Sequence, residues 1–542
     1  MSKIWTKKPM SAFENDMKSS QLKRVLGKWS LTAIGIGAII GGGIFVLTGT
    51  GAYYHAGPAL ALSFVIAGIA CVFAALCYSE FASILPVEGS AYAYAYGTVG
   101  EIFAWIIGWG LILEYAMGSM TVAVSWSGYF NKLLKMFGLH LPTWLTTDPG
   151  TGRGAFIEAT KAIKESNLST EKFNQLQEII TSYNSAPELF GYKLMLNLPA
   201  FLIVLFVISI LIKGTKEAAK ANNMIVIMKV SAVLFVIIAG VFFINTDNWS
   251  PFIPAVTKVM EGDNIKEAYG IQGIISGAAA IFFAYVGFDA VSTQAGEAIN
   301  PKKDVPFAII VSLLVCTVLY ILVSLVLTGM MHYTDFNPQG KFPDAIKAPV
   351  AYAFEIAGQG WAGYIITIAA TVGLISVLMV MIMGQSRIFL GMSKDGLIPK
   401  MFSDVHPVRK TPAKSLMLLG IIIATVASLT PISKLADMTS FGTLFAFTMV
   451  CVAVWILRKK EPNMPRTFKV PALPVIATLG ICINLYLIWN LSHEAKYLSL
   501  AWLALGVVIY FGYSLRNSKL HKVGYGETFK AEQEPLEKHD LD

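Results

Sequence analysis

Residues 31–52 read LTAIGIGAIIGGGIFVLTGTGA, an apolar stretch long enough to cross a bilayer but interrupted at its centre by Gly41, Gly42 and Gly43. Successive glycines have no side chain to pack and favour unwinding, so the backbone N–H and C=O groups beside them lose their helical partners. Lipid cannot satisfy those groups. A break of this kind is tolerated only where it is buried in protein or lines a polar cavity, and there the freed groups become a ligand site. An ordinary membrane helix using small residues for close packing would carry the same glycines, so this stretch alone leaves both readings open. A dinucleotide fingerprint fits less well, because Gly35, Gly37 and Gly41 only approximate G-x-G-x-x-G and do not lie at a strand-to-helix turn.

A second stretch of membrane length, residues 271–297, reads IQGIISGAAAIFFAYVGFDAVSTQAGE, with small residues early, an FAYVGFD interruption and polar groups at its far end. Hydrophobic residues make up 55% of the 542 and charged residues 14%, against about 25% charged in a soluble domain. The chain therefore reads as an all-α polytopic membrane protein. Apolar runs predict about twelve spans, at 30–53, 59–84, 92–127, 197–213, 223–245, 270–297, 304–330, 350–385, 414–430, 435–457, 471–491 and 497–515. The interrupted ones stand first and sixth. That register is expected if two five-helix units, over 30–245 and 270–457, repeat with opposite topology, each opening on its broken helix, with two helices appended.

Other function classes find little support. Cys71, Cys77, Cys316, Cys451 and Cys482 all fall inside apolar runs, which leaves no loop thiols to pair, and the seven histidines are scattered over loops and tails without ligand spacing. No metal, disulfide or bound cofactor is expected. The net charge of +8 reflects basic loops kept on one side of a membrane and not nucleic-acid binding. Lysines and arginines crowd the leader 1–28, the turn after 213, Lys302 and Lys303, the 387–414 segment and the 458–469 cluster, which predicts both termini cytoplasmic and the protein in the plasma membrane. The first apolar run is too long for a signal-peptide core, so no cleaved leader is expected. Residues 130–196 form a polar outer insertion whose spacing of Phe156, Ala159, Ile163 and of Phe173, Leu176, Ile179, Ile180 predicts two short amphipathic helices. A cap over the helix ends is preferred for it over a partner-binding module. The tail 516–542 is charged and aromatic-poor, and is expected to be loosely ordered.

Where a broken helix resumes, its free N–H groups and positive dipole end face the cavity, while the half before the break offers free carbonyls. Such a site suits a zwitterion. An α-carboxylate belongs at the N–H groups near Gly42 and Gly43, after Gly41, and an α-ammonium at carbonyls near Ile39, Phe283, Ala284 and Val286. The side chains of Ile40, Tyr285 and Phe288 would shape an apolar pocket for small or apolar substrates. Lys229, in NNMIVIMKVSAVLFVIIAG, is an intramembrane lysine that either faces a cavity or ion route or snorkels to the inner interface. Buried beside carbonyls, it would exchange protons and stand in for a coupling cation. Glu114 has three readings, of which a structural bond to other helices comes first; the others are a pair with Lys229 and selection of cationic substrates. Ser376 offers a hydroxyl towards the cation position or a packing contact, and Glu80 and Asp289 are candidates for gating pairs with Arg387 or a neighbouring lysine.

Together GIGAIIGGGIFVLTG, CYSEFASILPVEGSAYAYAY, FFAYVGFDAVSTQAGEAINPKKDVP and GQSRIFLGMSKDGLIPKMFSDVHPVRKTP resemble the cationic amino acid transporter family, in its bacterial form, of the amino acid/polyamine/organocation superfamily, over about residues 22–515. The resemblance implies a five-plus-five inverted-repeat fold working by alternating access as a secondary amino acid permease, without covalent chemistry. It implies that the first and sixth helices bind the substrate's backbone groups at Ile39, Gly42, Gly43, Phe283, Ala284 and Val286, and that Lys229 takes the place sodium holds in sodium-coupled cousins. Bacterial members often take neutral amino acids, so a proton-coupled symporter of small or neutral L-amino acids is expected; the rivals are a cationic amino acid or polyamine exchanger and, more remotely, a non-transporting receptor. Two features depart from the family pattern. The middle glycine of the triplet is often a small polar residue in relatives, and the outer insertion is long.

Overall fold

The computed structural model describes residues 5–9, 26–84, 90–165, 170–189, 191–213, 215–261, 264–295, 298–337, 342, 345–406, 409 and 411–522. The first span is an α-helix over Lys28–Ile39 that stops at Ile40 and resumes in π-helical and α-helical turns over Gly43–Leu47, Thr48–Gly51 and Ala52–Ala56. Gly57, at φ 61°, reverses the chain into the second span, Leu60–Ile84. The single helix expected over 92–127 is instead two: Ser90–Thr98, then the third span Glu101–Met136. Gly100 between them has φ 137°, and a Cβ there would lie 2.8 Å from the Trp5 carbonyl oxygen, so only glycine fits.

The fourth and fifth spans are Leu198–Lys213 and Thr215–Gly240. The sixth runs as Gly270–Ile281, a 3₁₀ turn Phe282–Tyr285 and a short helix Ala290–Thr293. The seventh is Pro301–Met330, and the apolar run expected at 350–385 divides into a short helix Pro349–Ile356 and the eighth span Gly360–Lys394. Ala413–Leu429, Ile432–Lys460, Leu473–Trp489 and His493–Ile509 are the ninth to twelfth. Eight stretches of the described residues are long and apolar enough to cross a membrane, Lys28–Ile84 holding two spans, and the shorter apolar helices 198–213, 413–429 and 473–489 bring the spans to twelve. The chain is a multi-pass membrane protein.

Packing follows the repeat. The second span lies along the seventh and the third along the eighth, while the first packs on the seventh as the sixth packs on the second. The broken helices thus sit inside the bundle, and large apolar side chains such as Leu202, Phe206, Ile227, Ile238, Ile421 and Trp489 face outward, where lipid is their solvent.

The insertion begins after Met136 and not at 130, because the third span extends through that segment. Its two helices, Pro149–Glu165 and Thr170–Asn184, form as their spacing predicts and meet in a stack of Phe156 on Tyr183 at 4.4 Å. Two short hairpins were not foreseen: Glu188–Leu189 with Tyr192–Lys193, and Thr257–Glu261 with Asn264–Ala268. After the second, Tyr269 donates its hydroxyl to Tyr53 O at 2.8 Å, and nearby His55 Nδ1 lies 3.0 Å from Ser276 Oγ. His55 is therefore part of a packed joint and not a solvated loop residue.

At the opposite end, the described parts of both tails are docked. Lys8 pairs with Asp395 at 2.8 Å, and Tyr92 donates to the same carboxylate at 2.7 Å. Buried Glu101 accepts from Tyr96 (2.8 Å), Tyr510 (3.1 Å) and Ser518, and lies 3.2 Å from His521 Nε2. The loose order expected from 516 onward thus does not hold as far as Lys522, because Ser518 donates to the buried Glu101 carboxylate and His521 lies beside it. The expectations for residues 10–25 and 523–542 lie outside the described residues.

Candidate substrate and coupling site

Ile40, with ψ 99°, turns the chain out of the first helix, and the bookkeeping of freed carbonyls defines what gathers there. Lys229 Nζ donates to Gly37 O, and to Ile40 O at 2.9 Å. Tyr320 Oη lies 2.7 Å from Ile39 O, and Ala38 O faces Gly287, where a Cβ would lie 2.9 Å away. On the far side of the break the helix restarts at Gly42 and Gly43, whose N–H groups, as the first of a helix, have no intrahelical acceptors. The sixth span comes directly against this point: a Cβ on Gly43 would lie 2.3 Å from Ala284 Cα, and one on Gly42 3.8 Å from Phe283 Cε1. Ile39, Ile40, Phe283, Ala284 and Val286 are all buried around the same point.

Lys229 is fully buried and turns into the bundle, not towards an interface. Its third partner is Ser376 Oγ at 2.9 Å, which itself donates to Gly373 O at 2.8 Å. Three acceptors match the three donors of an ammonium, and no carboxylate stands beside it among the described residues. Gly373 makes the approach feasible, since a Cβ there would lie 3.1 Å from the lysine Cβ.

The other side chains separate into different places. Glu114 does not meet Lys229: its backbone abuts Gly442, and its neighbours are Asp289 and Thr443, because it occupies the face of the third span turned to the tenth. Asp289 accepts from Tyr115 at 2.7 Å and has no cation beside it among the described residues. Glu80 pairs not with Arg387 or a lysine but with Arg458 and with Arg466 (3.1 Å), and accepts from Val470 N at 2.8 Å, which fastens the second span to the tenth and the loop after it. Arg387 donates to Gln294 Oε1 at 2.8 Å, tying the eighth span to the end of the sixth. Tyr285 donates to Phe64 O at 2.7 Å, and Phe288 packs on Phe447 with ring centroids 4.8 Å apart. Both rings turn into the second, seventh and tenth spans.

Two residues at the break escaped sequence reasoning. Ser125 of the third span lies where a Gly42 side chain would project, its Oγ 2.7 Å from that Cβ position, so a hydroxyl from another helix faces this glycine. Tyr320 bridges Ile39 O and Ala284 O. The available signal was a polar handle on an aromatic ring inside an otherwise apolar run, VCTVLYILVSL, which needs a partner when buried.

The sequence model of amino acid permeases matches residues 26–514. Among individual proteins, the branched-chain amino acid permease BcaP of Bacillus subtilis (strain 168) is 44% identical over 501 residues, 92% of this chain and 95% of its own length. The methylthioribose transporter of the same organism is 40% identical over 522 residues, 96% of this chain and all of its own. The vacuolar cationic amino acid transporter 4 of Arabidopsis thaliana is 34% identical over 448 residues, 82% of this chain and 64% of its own, so the cationic transporters stand further off than these two bacterial proteins. All three are named as permeases or transporters and not as enzymes.

Proposed function

Because the chain belongs to the amino acid permease family, we propose that it is a secondary active, proton-coupled symporter of small or apolar L-amino acids, working by alternating access in a bacterial plasma membrane with both termini in the cytoplasm. The observation that carries this reading is the Lys229 ammonium wedged between Gly37 O, Ile40 O and Ser376 Oγ at the first break. Protonated, the lysine fills all three acceptors and holds a positive charge beside the unwound segment. Deprotonated, it has two N–H donors for three acceptors and no charge, so its grip on the end of the first half of the first span and on the eighth span weakens. Proton binding and the shape of the substrate site are thereby linked.

The substrate carboxylate takes the N–H groups at Gly42 and Gly43, its ammonium the carbonyl pole at Ile39 and Ala284, and its side chain the apolar walls of Ile39, Ile40 and Phe283. A cationic side chain would need an acceptor at the pocket, whereas Glu114 is turned to Asp289 and Thr443. A neutral sugar such as methylthioribose would leave both charged poles unmatched. Since the relatives span all three substrate classes in their names, the test is uptake of leucine, valine, alanine, arginine and methylthioribose into proteoliposomes, with and without an acid-outside gradient and with and without sodium. Acid outside is expected to drive the aliphatic amino acids, and Lys229→Ala to abolish the response to the gradient. Sodium-driven uptake that survives Lys229→Ala overturns the proposal, and uptake of arginine only against preloaded substrate makes the protein an exchanger.

A further inference from the structure

Tyr320 of the seventh span is fully buried, with its hydroxyl oxygen 2.7 Å from Ile39 O and 2.9 Å from Ala284 O. The two carbonyls belong to different broken helices: Ile39 is the last residue of the first half of the first span, and Ala284 sits in the 3₁₀ turn of the sixth. The phenol is held in place by its neighbours, Phe64 and Tyr285, each with a ring centroid 5.4 Å from its own. Tyr285 cannot substitute for it, because its hydroxyl is committed to Phe64 O. A single O–H shared between two acceptors draws them together without exhausting them, since each carbonyl oxygen has two lone pairs.

We infer that Tyr320 is a positioning residue for the substrate's amino group: its hydroxyl fixes one carbonyl from each broken helix at a set separation, so that a primary ammonium is gripped by both. This deepens the proposed function and rests on its placement of the ammonium pole. The chemistry that recognises the arrangement is an amine with at least two N–H donors, one for the remaining lone pair on each oxygen. Gripping both carbonyls also makes amine binding a bond between the first and sixth spans, the two elements whose relative motion would open the site.

The test is Tyr320→Phe, which removes the hydroxyl and keeps the ring, compared with wild type for the amino acid that the wild type takes up best. Losing the positioning bond is expected to raise KM about tenfold, with the maximal rate within about twofold and the substrate-free melting midpoint close to wild type. Tyr320→Leu should raise KM no further, though its melting midpoint drops with the lost ring. Unchanged KM in the Phe variant overturns the inference, and so does lowered KM, which would mean that the hydroxyl competes with the amine. Should the Phe variant not assemble, 3-fluorotyrosine placed at 320, which keeps the ring and strengthens the donor, is expected to shift KM, and no shift overturns the inference. A wild type that neither transports nor is stabilised by any amino acid overturns the functional reading as well, whereas a wild type that binds and a Phe variant that binds equally well overturn this inference alone.

Discussion

Alanine placed in turn at Gly41, Gly42 and Gly43 adds one methyl group to the same triplet at three positions that meet different obstacles. At Gly43 the new Cβ would lie 2.3 Å from Ala284 Cα and 2.4 Å from its Cβ, atoms of the sixth-span backbone and its shortest side chain, which cannot rotate aside. Restoring ordinary contact, near 3.4 Å, requires the two breaks to part by roughly 1 Å. A displacement of that size in a binding constellation costs about 100-fold in activity, and overpacking of this kind destabilises by about 1–3 kcal/mol. At Gly42 the obstacle is Ser125, with Oγ at 2.7 Å and Cβ at 3.1 Å; the hydroxyl rotates away, and a shift of a few tenths of an ångström absorbs the rest. At Gly41 the nearest atom is Val377 Cγ2 at 3.3 Å, close to ordinary contact. Initial uptake rates in proteoliposomes, with melting midpoints in detergent as the control for folding, should therefore fall severely for Gly43→Ala, several-fold for Gly42→Ala and little for Gly41→Ala. Ser125→Ala should recover part of the Gly42→Ala loss, since it removes the nearest atom. A Gly43→Ala protein with wild-type uptake, or a series in which Gly41→Ala is the worst, would refute the contact of the two breaks on which the site is built.

Three further outcomes are expected. Ser376→Ala removes the third acceptor of Lys229 and should weaken the response of uptake to a pH gradient while leaving exchange of preloaded substrate measurable; a gradient response equal to wild type counts against the lysine as the coupling group. Glu80→Ala leaves Arg458 and Arg466 without their buried carboxylate and should destabilise the fold by about 3–5 kcal/mol, seen as a clearly lowered melting midpoint, and an unchanged midpoint would show that this fastening of the second span to the tenth contributes little. Ending the chain at Asn517 removes Ser518 and His521 from Glu101 and should lower the midpoint by less than Glu80→Ala does; equal melting of the full and shortened chains would mean that the docked tail is incidental.

The spans were legible because their signal is local and strong. A bilayer demands about twenty apolar residues per helix, and the runs announce themselves by composition alone. The errors lie where one backbone angle or one long-range contact decides. The division at Gly100 depends on the Trp5 backbone passing against it, and the split of the 350–385 run leaves Pro349–Ile356 as a separate helix. The hairpin Thr257–Glu261 with Asn264–Ala268 has too short an alternation to stand out in a polar connection. Acidic residues were harder still. Glu80 and Asp289 were read as candidates for gating pairs with Arg387 or a lysine and Glu114 first as a structural bond, yet their partners come from helices far away in the chain: Arg458 for the first, Tyr115 for Asp289, and for Glu114 a place beside Asp289.

Sequence alone determined that this chain crosses a membrane many times, that its first and sixth membrane-length runs carry an interruption at their centre, and that a lysine lies within the fifth. Those are properties of residue type and spacing, and apolar length and an isolated charge keep their meaning whatever surrounds them; whether the glycines break the helix was decided by the structure. Tertiary structure decided which groups meet. It brought Lys229 to Gly37 and Ile40, Tyr320 between Ile39 and Ala284, and Ser125 opposite Gly42. Each of these contacts joins helices separated by tens to hundreds of residues, and a freed carbonyl carries no mark in the sequence of which donor will reach it.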